Sequence, residues 1–464
     1  MSLKRKLARL SSAGPGSRPA RPAHPPPASP PPARPTPDAP ETEAGRERRA
    51  RVAKLRGMLG QMIADERRRL KERVRETPAP IELPGELVTT PHGPMHRVAQ
   101  YLEPSHRHGR VPIAGAVRVC ARTVAKLALD AELARIDPRR LLFLDTETTG
   151  LAGGTGTIPF LIGLAWFEDE SLRIEQLVLR APGEEAPLLR RLAERVEAAS
   201  AVVSYNGKSY DWPLLRNRFV LNRVPVTPPA AHLDLLHCAR RVFKRRLGRV
   251  RLVHLEEHVL GMRREHDIDG AEIPQRFWDF VRGADGSLLA PVIEHNAHDL
   301  VALAAILVSL VERYEEVLPE HEPADRLGVA RVALRAEDHE RAARYAQAAA
   351  DAGGPGDVTA DALWLASEIA RRRDDPRARC ALLHRGLEVA ADALRASRFH
   401  LALAKLYEHD FREYERALVH ARACDVAEGA AARDHRVARV LRKLERRRGQ
   451  PALAHPPAGS PAEG

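Results

Sequence analysis

The segment Leu141–Gly150, which reads LLFLDTETTG, constrains this chain more than any other part of its sequence. Its apolar start predicts a buried β-strand, and two acids, Asp145 and Glu147, follow where that strand ends. Because side chains at i and i+2 lie on the same face of an extended strand, both carboxylates point to one side. Neighbouring carboxylates repel each other unless cations lie between them, so the segment predicts a site for Mg²⁺ or Mn²⁺ with oxygen ligands. The alternative interpretation is a pair of exposed acids at a strand end.

A second group of polar residues follows another predicted strand, Ala201–Ser204. Asn206 lies in a Tyr-Asn-Gly turn, and Asp211 opens the predicted helix Tyr210–Val220. An acid at that position can reach a metal that the first strand holds, while Asn206 and Lys208 can contact a phosphate or a sugar. The alternative interpretation makes Asp211 only a helix N-cap.

The third element is the segment IEHNAHDLVAL, in which His295 and Asp299 are four residues apart. This spacing places both side chains on one face of a helix. A histidine one turn from a metal-binding aspartate can accept a proton from a metal-bound water. A histidine with a purely structural role is the alternative.

Together these three elements resemble the motifs of the DEDD superfamily of 3′–5′ exonucleases. The first element matches its D-x-E motif, the second its N-x-x-x-[FY]-D motif, and the third supplies the last acid. The matching positions are Asp145, Glu147, Asn206, Tyr210, Asp211 and Asp299. The run FLDTETTGLAGGTGT, with HN-x-x-D and C-terminal repeats, is also similar to the YprB-like bacterial family of predicted exonucleases.

The resemblance implies an α/β RNase H-like fold, a mixed sheet flanked by helices. It further implies a metal-dependent 3′–5′ exonuclease that hydrolyses the phosphodiester bonds of single-stranded DNA or RNA by a two-metal mechanism. The ligands of the two divalent cations, Mg²⁺ or Mn²⁺, would be Asp145, Glu147, Asp211 and Asp299. The candidates for substrate binding are Thr148, Leu151, Asn206, Lys208 and Tyr210, with Leu151 at the family position beside the terminal base.

The general base is the point where this sequence departs from the family. The third motif carries a tyrosine four residues before its acid in one subclass, and a histidine five residues before it in another. Here His295 occupies the tyrosine position and Glu294 the position five before Asp299. His295 is our candidate base, and Glu294 stays an alternative.

Composition divides the chain into five regions. Pro-rich residues 1–45 predict a disordered tail, and residues 46–138 predict a helix followed by a small β-rich lead-in. Residues 139–316 alternate apolar runs with helical patterns, which predicts the α/β domain. Residues 324–448 are alanine-rich and predict an all-α region, and residues 449–464 predict a second disordered tail.

The predicted strands of the central domain are Leu141–Leu144, the hairpin of Phe160–Phe167 and Leu172–Leu179, Ala201–Ser204 and His232–Leu236. Its predicted helices are Pro187–Ala199, Tyr210–Val220, Leu255–Leu260 and Ile293–Tyr314. In the lead-in, we interpret His106 and His108 as solvated loop residues rather than metal ligands.

The all-α region contains three similar segments, Asp338–Ala350, Asp374–Leu387 and Arg412–Ala423. Their spacing is close to the period of about 34 residues that is typical of tetratricopeptide (TPR) repeats. We therefore predict TPR-like helical hairpins that contact a protein partner, with an irregular helical bundle as the alternative.

Charge and cysteine content limit the function classes. Lys+Arg exceed Asp+Glu by 74 to 62, which favours a polyanionic partner such as nucleic acid. The basic stretch Arg240–Arg251 is a candidate surface for a single strand, with a solvated helix face as the alternative. No apolar run is long enough for a membrane span. Four widely spaced cysteines without a C-x-x-C, together with an N-terminus that lacks an apolar core, predict a cytoplasmic protein.

Two other functions compete with the exonuclease. One is a nucleic-acid-binding protein that has weak catalysis or none, and the other is a TPR scaffold whose repeats do the main work. The presence of all four acids disfavours the first of these, since loss of catalysis usually shows as a missing carboxylate. Nuclease activity measured after removal of residues 324–464 would separate the scaffold from the exonuclease.

Overall fold

The computed structural model describes residues 83–150, 156–265 and 267–449. The predicted tails, apart from Gly449, and the predicted helix within residues 46–76 lie outside these residues. Within the described ranges, no helix is long and apolar enough to cross a membrane.

Seven strands of the described chain form one mixed sheet in the order β1-β2-β7-β6-β5-β8-β9. The predicted hairpin is confirmed, because β6 and β7 pair antiparallel with Phe167 opposite Leu172. Strand β5 pairs antiparallel with β6 on one side and parallel with β8 on the other, and β8 is parallel to β9. The remaining two strands, β3 and β4, form a separate pair. The nine strands are β1 (Glu86–Thr90), β2 (Gly93–Leu102), β3 (Arg107–His108), β4 (Val111–Pro112), β5 (Leu141–Thr148), β6 (Pro159–Glu168), β7 (Ser171–Val178), β8 (Ala201–Ser204) and β9 (His232–Asp234).

Two strands of the lead-in, β1 and β2, belong to the seven-stranded sheet. Strand β2 pairs antiparallel with β7 from His96 to Leu102, and β1 pairs with the other edge of β2. The interpretation of His108 as a solvated loop residue is wrong, because its side chain is buried and its Nε2 lies 2.8 Å from Glu256 Oε1.

Strand β5 separates two hydrophobic cores, one on each face of the sheet. Leu141 and Phe143 lie in the first core, whereas Leu142 and Leu144 lie in the second. This division follows from the alternation of side chains along a strand. Because helices cover both faces, the apolar half of β5 is buried throughout.

Helices flank the sheet on both sides, which confirms the predicted mixed α/β architecture. These helices are α1 (Ala121–Ala128), α2 (Glu185–Ala198), α3 (Asp211–Leu221), α4 (Leu235–Leu247), α5 (Leu252–Leu255, continued by a π-helical turn Glu256–Leu260), α6 (Ile273–Val281) and α7 (Ala290–Glu315). Short 3₁₀ helices span Ile113–Arg118, Ala131–Arg135, Pro138–Arg140 and Gly286–Leu289. Helix α7 packs across β5, β6 and β7.

A helix-rich region follows α7. Its helices are α8 (Pro323–Arg335), α9 (His339–Asp351), α10 (Gly356–Arg372), α11 (Pro376–Glu388), α12 (Ala393–Leu406, continued by a π-helical turn Tyr407–Phe411), α13 (Tyr414–Ala421), α14 (Asp425–Glu428) and α15 (Ala430–Arg448). Each of the three similar segments contains one helix, and a left-handed residue lies at or shortly before its start: Glu337, Asp374 and Arg412, with φ of 60°, 55° and 57°. A regular series of helical hairpins would show such a left-handed residue at the same place in each repeat. The assignment of these hairpins to the TPR class stays a prediction.

The first helix of this region packs on the α/β domain through paired charges. Arg246 of α4 forms a bidentate pair with the buried carboxylate of Asp325, at 2.8 Å from Nη2 to Oδ2. Arg245 pairs with both Asp357 and Asp361 at 2.8 Å. The prediction that Arg240–Arg251 tracks phosphates is therefore wrong for Arg245 and Arg246, whose charges contribute to this junction instead.

Candidate active site

The first two candidate acids project from the end of β5. In the pairing with β6, Asp145 lies opposite Gly163 and Glu147 opposite Leu161. The register shifts between Glu147 and Thr148, so regular pairing ends at the second acid. The alternation of the strand therefore places both carboxylates on the face that α7 covers.

An asparagine that our sequence analysis assigned no role holds Asp145. Asn296 Nδ2 donates a hydrogen bond to Asp145 Oδ2 at 2.8 Å, and Gln176 Nε2 donates to Asn296 Oδ1 at 2.9 Å. Asn296 is completely buried, and a Cβ added at Gly163 would lie 2.1 Å from its Oδ1. The missing side chain of Gly163 thus makes the room that the amide occupies. The letters HN in the third motif were the sequence signal for this residue.

Asp211 approaches the same site from the opposite face of β5. It is the first residue of α3, whose N-cap is Tyr210, so Asp211 is not itself the cap. Its buried Oδ1 accepts a hydrogen bond from the Thr146 hydroxyl.

The substrate-binding candidates lie beside the acids, and two of them make contacts with each other. The Thr148 and Tyr210 hydroxyls lie 3.1 Å apart, and Tyr210 donates to the carbonyl of Gly150 at 2.8 Å. These contacts fix the chain immediately before Leu151, which lies outside the described residues, as do Gly153 and Gly154.

The other two candidates, Asn206 and Lys208, lie on the loop between β8 and α3. Asn206 adopts φ of 68°, a left-handed conformation that asparagine tolerates. The backbone N–H groups of Asn206 and Lys208 donate to the buried carboxylate of Asp234, a residue that the sequence analysis missed. The Lys208 ammonium lies 3.6 Å from Asp130.

His295 and Asp299 lie on one face of α7, as their spacing predicts. His295 Nδ1 lies 2.7 Å from Asp267 Oδ1, while its Nε2 lies 3.8 Å from Asp299 Oδ2 and 3.9 Å from Glu147 Oε1. Glu294 instead lines a cavity of about 680 Å³ beside β2, together with His298 of the same helix. The ring of His295, and not the carboxylate of Glu294, therefore faces the acids.

A buried arginine completes the site. The Arg264 side chain is 2% exposed, its Nη2 donates to Asp299 Oδ1, and the same nitrogen lies 2.8 Å from Glu256 Oε2. Its Nη1 lies 3.3 Å from Asp267 Oδ2. Neither Arg264 nor Asp267 belongs to a sequence motif, so nothing in the sequence marked them.

Burial raises the pKa values of all four acids, and repulsion by the other acids of the site adds to the rise for Asp145 and Glu147. Burial raises the pKa of Glu147 to about 8, with Asp299 and Asp211 adding to the rise, and raises that of Asp211 to about 6. The pKa of Asp145 lies well above its usual range through burial and through the charges of Asp299, Glu147 and Asp211. Burial also raises the pKa of Asp299, although Arg264 opposes this. Four ionised carboxylates are thus unstable here without added positive charge.

The donor set suits a hard divalent cation, since these are oxygen ligands from carboxylates that lack sufficient counter-charge. In the described residues, no group of three or more His, Cys, Asp and Glu side chains is arranged to hold a metal ion as it stands. The reason is visible in the contacts, because Asp145, Asp211 and Asp299 are each turned towards a protein donor. Asn296, Thr146 and Arg264 are those donors.

Comparison with known proteins agrees with this architecture. Residues 142–311 match the model of the RNase H superfamily. The mixed sheet and its flanking helices therefore have an RNase H-like architecture. The chain is also 34% identical, over 212 residues, to a protein of Bacillus subtilis (strain 168) described as uncharacterized protein YprB. That match covers 45% of this chain and 51% of the relative, so the chain spans about half the length of the curated relative that it matches.

Proposed function

We propose that this chain is a metal-dependent 3′–5′ exonuclease that acts on single-stranded nucleic acid. Asp145, Glu147, Asp211 and Asp299 would hold two divalent cations, Mg²⁺ or Mn²⁺. One observation carries the proposal: four largely buried carboxylates from β5, α3 and α7 repel one another at the end of a strand in an RNase H superfamily domain. A protein that bound no cation there would gain nothing from this arrangement.

His295 is the proton acceptor in this proposal. Asp267 faces Nδ1 at 2.7 Å, which favours the tautomer with hydrogen on Nδ1 and leaves Nε2 free to accept a proton. Nε2 faces Glu147 and Asp299, where an attacking water would lie.

The reaction then follows from these positions. The water oxygen attacks phosphorus while a water proton passes to His295 Nε2. The bond from phosphorus to the 3′-oxygen of the preceding nucleotide breaks, that oxygen takes up a proton from solvent, and His295 releases its proton to solvent. The products are a nucleoside 5′-monophosphate and a strand shortened by one residue, with a new 3′-hydroxyl. Bound cations would lower the pKa of the water and neutralise charge on the phosphate.

Thr148 and Tyr210 act on the substrate through the chain that they hold. Tyr210 fixes the carbonyl of Gly150, the last described residue before Leu151. Leu151 itself, which the family resemblance associates with the terminal base, stays a candidate for substrate binding. Asn206 and Lys208 stay candidates for phosphate or sugar contacts.

Hydrolysis of single-stranded DNA and RNA oligonucleotides with Mg²⁺ or Mn²⁺ tests the proposal. We expect cleavage that stops on chelation and in Asp145→Asn. Glu294→Gln is the matched control, because that acid lies on the cavity side of α7 and should leave the rate unchanged. Tight binding of both oligonucleotides without cation-dependent cleavage would favour the alternative, a nucleic-acid-binding scaffold. A protein partner of the helix-rich region and a cytoplasmic location stay predictions.

A further inference from the structure

Arg264 introduces a fixed positive charge among the candidate metal ligands. Its guanidinium is buried, donates to Asp299 Oδ1 and lies within 3.4 Å of His295 Nδ1. Asp299 and Glu147 are the two candidate ligands that face His295 Nε2, so Arg264 lies next to the position where a cation bound by Asp299 would lie.

Arg264 is also anchored by Glu256, which is not one of the four candidate ligands, through the same Nη2 that donates to Asp299. Its Nη2 lies 2.8 Å from Glu256 Oε2, and Glu256 Oε1 lies 2.8 Å from His108 Nε2. The side chains of Glu256 and His108 are 1% and 3% exposed. A guanidinium enclosed in this way cannot leave without exposing a buried carboxylate to an apolar surrounding, which is costly. Asp299 and Asp267, at 16% and 21% side-chain exposure, are the partners of Arg264 with room to turn, and of these two Asp299 is the candidate metal ligand.

We propose that Arg264 is a resident counter-cation that competes with one divalent ion for Asp299. Without metal, it neutralises Asp299 and keeps the acidic cluster folded. When the site fills, the Asp299 carboxylate turns from the guanidinium to the ion, while the pair of Arg264 with Glu256 stays in place. The ion that Asp299 helps to hold therefore binds more weakly than the other ion. This inference rests on the proposed function, because it assumes a site for two divalent cations.

Titration of the full-length chain with Mn²⁺, followed by calorimetry and by the paramagnetic resonance of the free ion, tests this competition. We expect Arg264→Gln to tighten the weaker Mn²⁺ site by roughly tenfold to a hundredfold, which is the worth of a hydrogen bond to a charged group. Arg264→Lys keeps the positive charge but loses the planar guanidinium, so it should change the Mn²⁺ affinity of the same site by less. Arg246→Gln is the matched control, because it breaks a comparable buried pair with Asp325 outside the site and should leave both Mn²⁺ affinities unchanged.

The outcomes separate this inference from the proposed function. If the wild-type chain binds no Mn²⁺ and cleaves nothing, the proposed function itself fails. If it cleaves oligonucleotides but the weaker site is unchanged or weakened in Arg264→Gln, the competition is refuted and the proposed function stands.

A crystal structure of the wild-type chain grown with Mn²⁺ tests the inference without any variant. We expect Asp299 on the ion and Arg264 still paired with Glu256. Ions bound while Asp299 remains on Arg264, or Arg264 displaced from Glu256, would overturn the proposal even if the variants failed to fold.

Discussion

Replacing Gly163 by alanine would place a methyl group where the amide of Asn296 now lies. The added Cβ would be 2.1 Å from Asn296 Oδ1, 2.7 Å from Nδ2 and 2.8 Å from Cγ. Carbon needs a separation of about 3.5 Å or more. The amide must therefore move by roughly 1 Å, because a methyl group on the strand backbone has no freedom to yield.

The magnitude follows from what Asn296 holds. Its hydrogen bond to Asp145 is a bond to a charged group, worth about 1.5–3 kcal/mol, and an overpacked core costs about 1–3 kcal/mol of folding free energy. A displacement of about 1 Å next to reacting groups lowers rates by roughly a hundredfold. We expect Gly163→Ala to remain folded with a lowered melting temperature and to lose kcat by about that factor.

Oligonucleotide hydrolysis and thermal unfolding measured on the same samples check this expectation. Gly270→Ala is the matched control, because a Cβ there meets nothing within 4 Å. Asn296→Ala removes the amide without overpacking, so the double variant Gly163→Ala/Asn296→Ala should lose little more activity than Asn296→Ala alone. Wild-type turnover in Gly163→Ala, or fully additive losses in the double variant, would show that Gly163 does not act through the Asn296 amide.

Three further predictions concern the acids and the base. Asp145→Ala should abolish hydrolysis while nucleic-acid affinity is largely kept, since loss of a metal ligand costs several kcal/mol of transition-state stabilisation. Turnover above about a tenth of wild type would contradict the role of Asp145 as a ligand. His295→Ala should lower the hydrolysis rate by roughly 10²–10⁴-fold with Mn²⁺ affinity preserved. Asp267→Asn should lower the rate by less, and His295→Tyr should be faster than His295→Ala. A wild-type rate in His295→Ala would mean that His295 is not the general base. The pKa of Glu147 is raised to about 8 in the folded chain, so the unfolded chain loses this proton at a lower pH. The free energy of unfolding in chelator should therefore fall between about pH 4.5 and 8, less steeply in Glu147→Gln, and should recover when Mg²⁺ is added. Identical pH profiles for the wild type and Glu147→Gln would contradict the raised pKa.

The sequence predicts those parts of the fold whose signals are local. Strand β5 and the hairpin of β6 and β7 are apolar runs of strand length, and the structure confirms them. Strand β2 was not predicted, because its ten residues are flanked by turn formers and show no clear alternation of burial.

The residues of the candidate site also differ in whether local sequence signals predict them. The acids and His295 stand in motifs of fixed spacing, so the sequence names them, although their assignment as ligands stays a proposal. Arg264 and Asp267 lie on an irregular loop and reach Asp299 and His295 only through the tertiary fold, across sequence separations of 35 and 28 residues. No spacing rule covers such a pair.

The basic stretch shows the limit of reading charge from sequence. Lys244, Arg245 and Arg246 are consecutive in the sequence. Lys244 is exposed, whereas Arg245 and Arg246 pair with aspartates of the helix-rich region. Which charges remain for a polyanion depends on the packing of α8 and α10, which the run itself does not encode. The same packing shows that truncation at residue 324 would remove Val329 and Tyr345 from the first core, so deletion of the helix-rich region is not a clean test of its role.

The products of one reaction test whether this chain removes nucleotides from a 3′ end in a cation-dependent way. A 5′-labelled single strand is incubated with the full-length chain and Mn²⁺, beside the same strand blocked at its 3′-hydroxyl. We expect a ladder that shortens one nucleotide at a time from the 3′ end, with release of nucleoside 5′-monophosphates and protection by the block. Internal fragments that appear equally from both strands would contradict it, as would an uncut strand at saturating Mn²⁺.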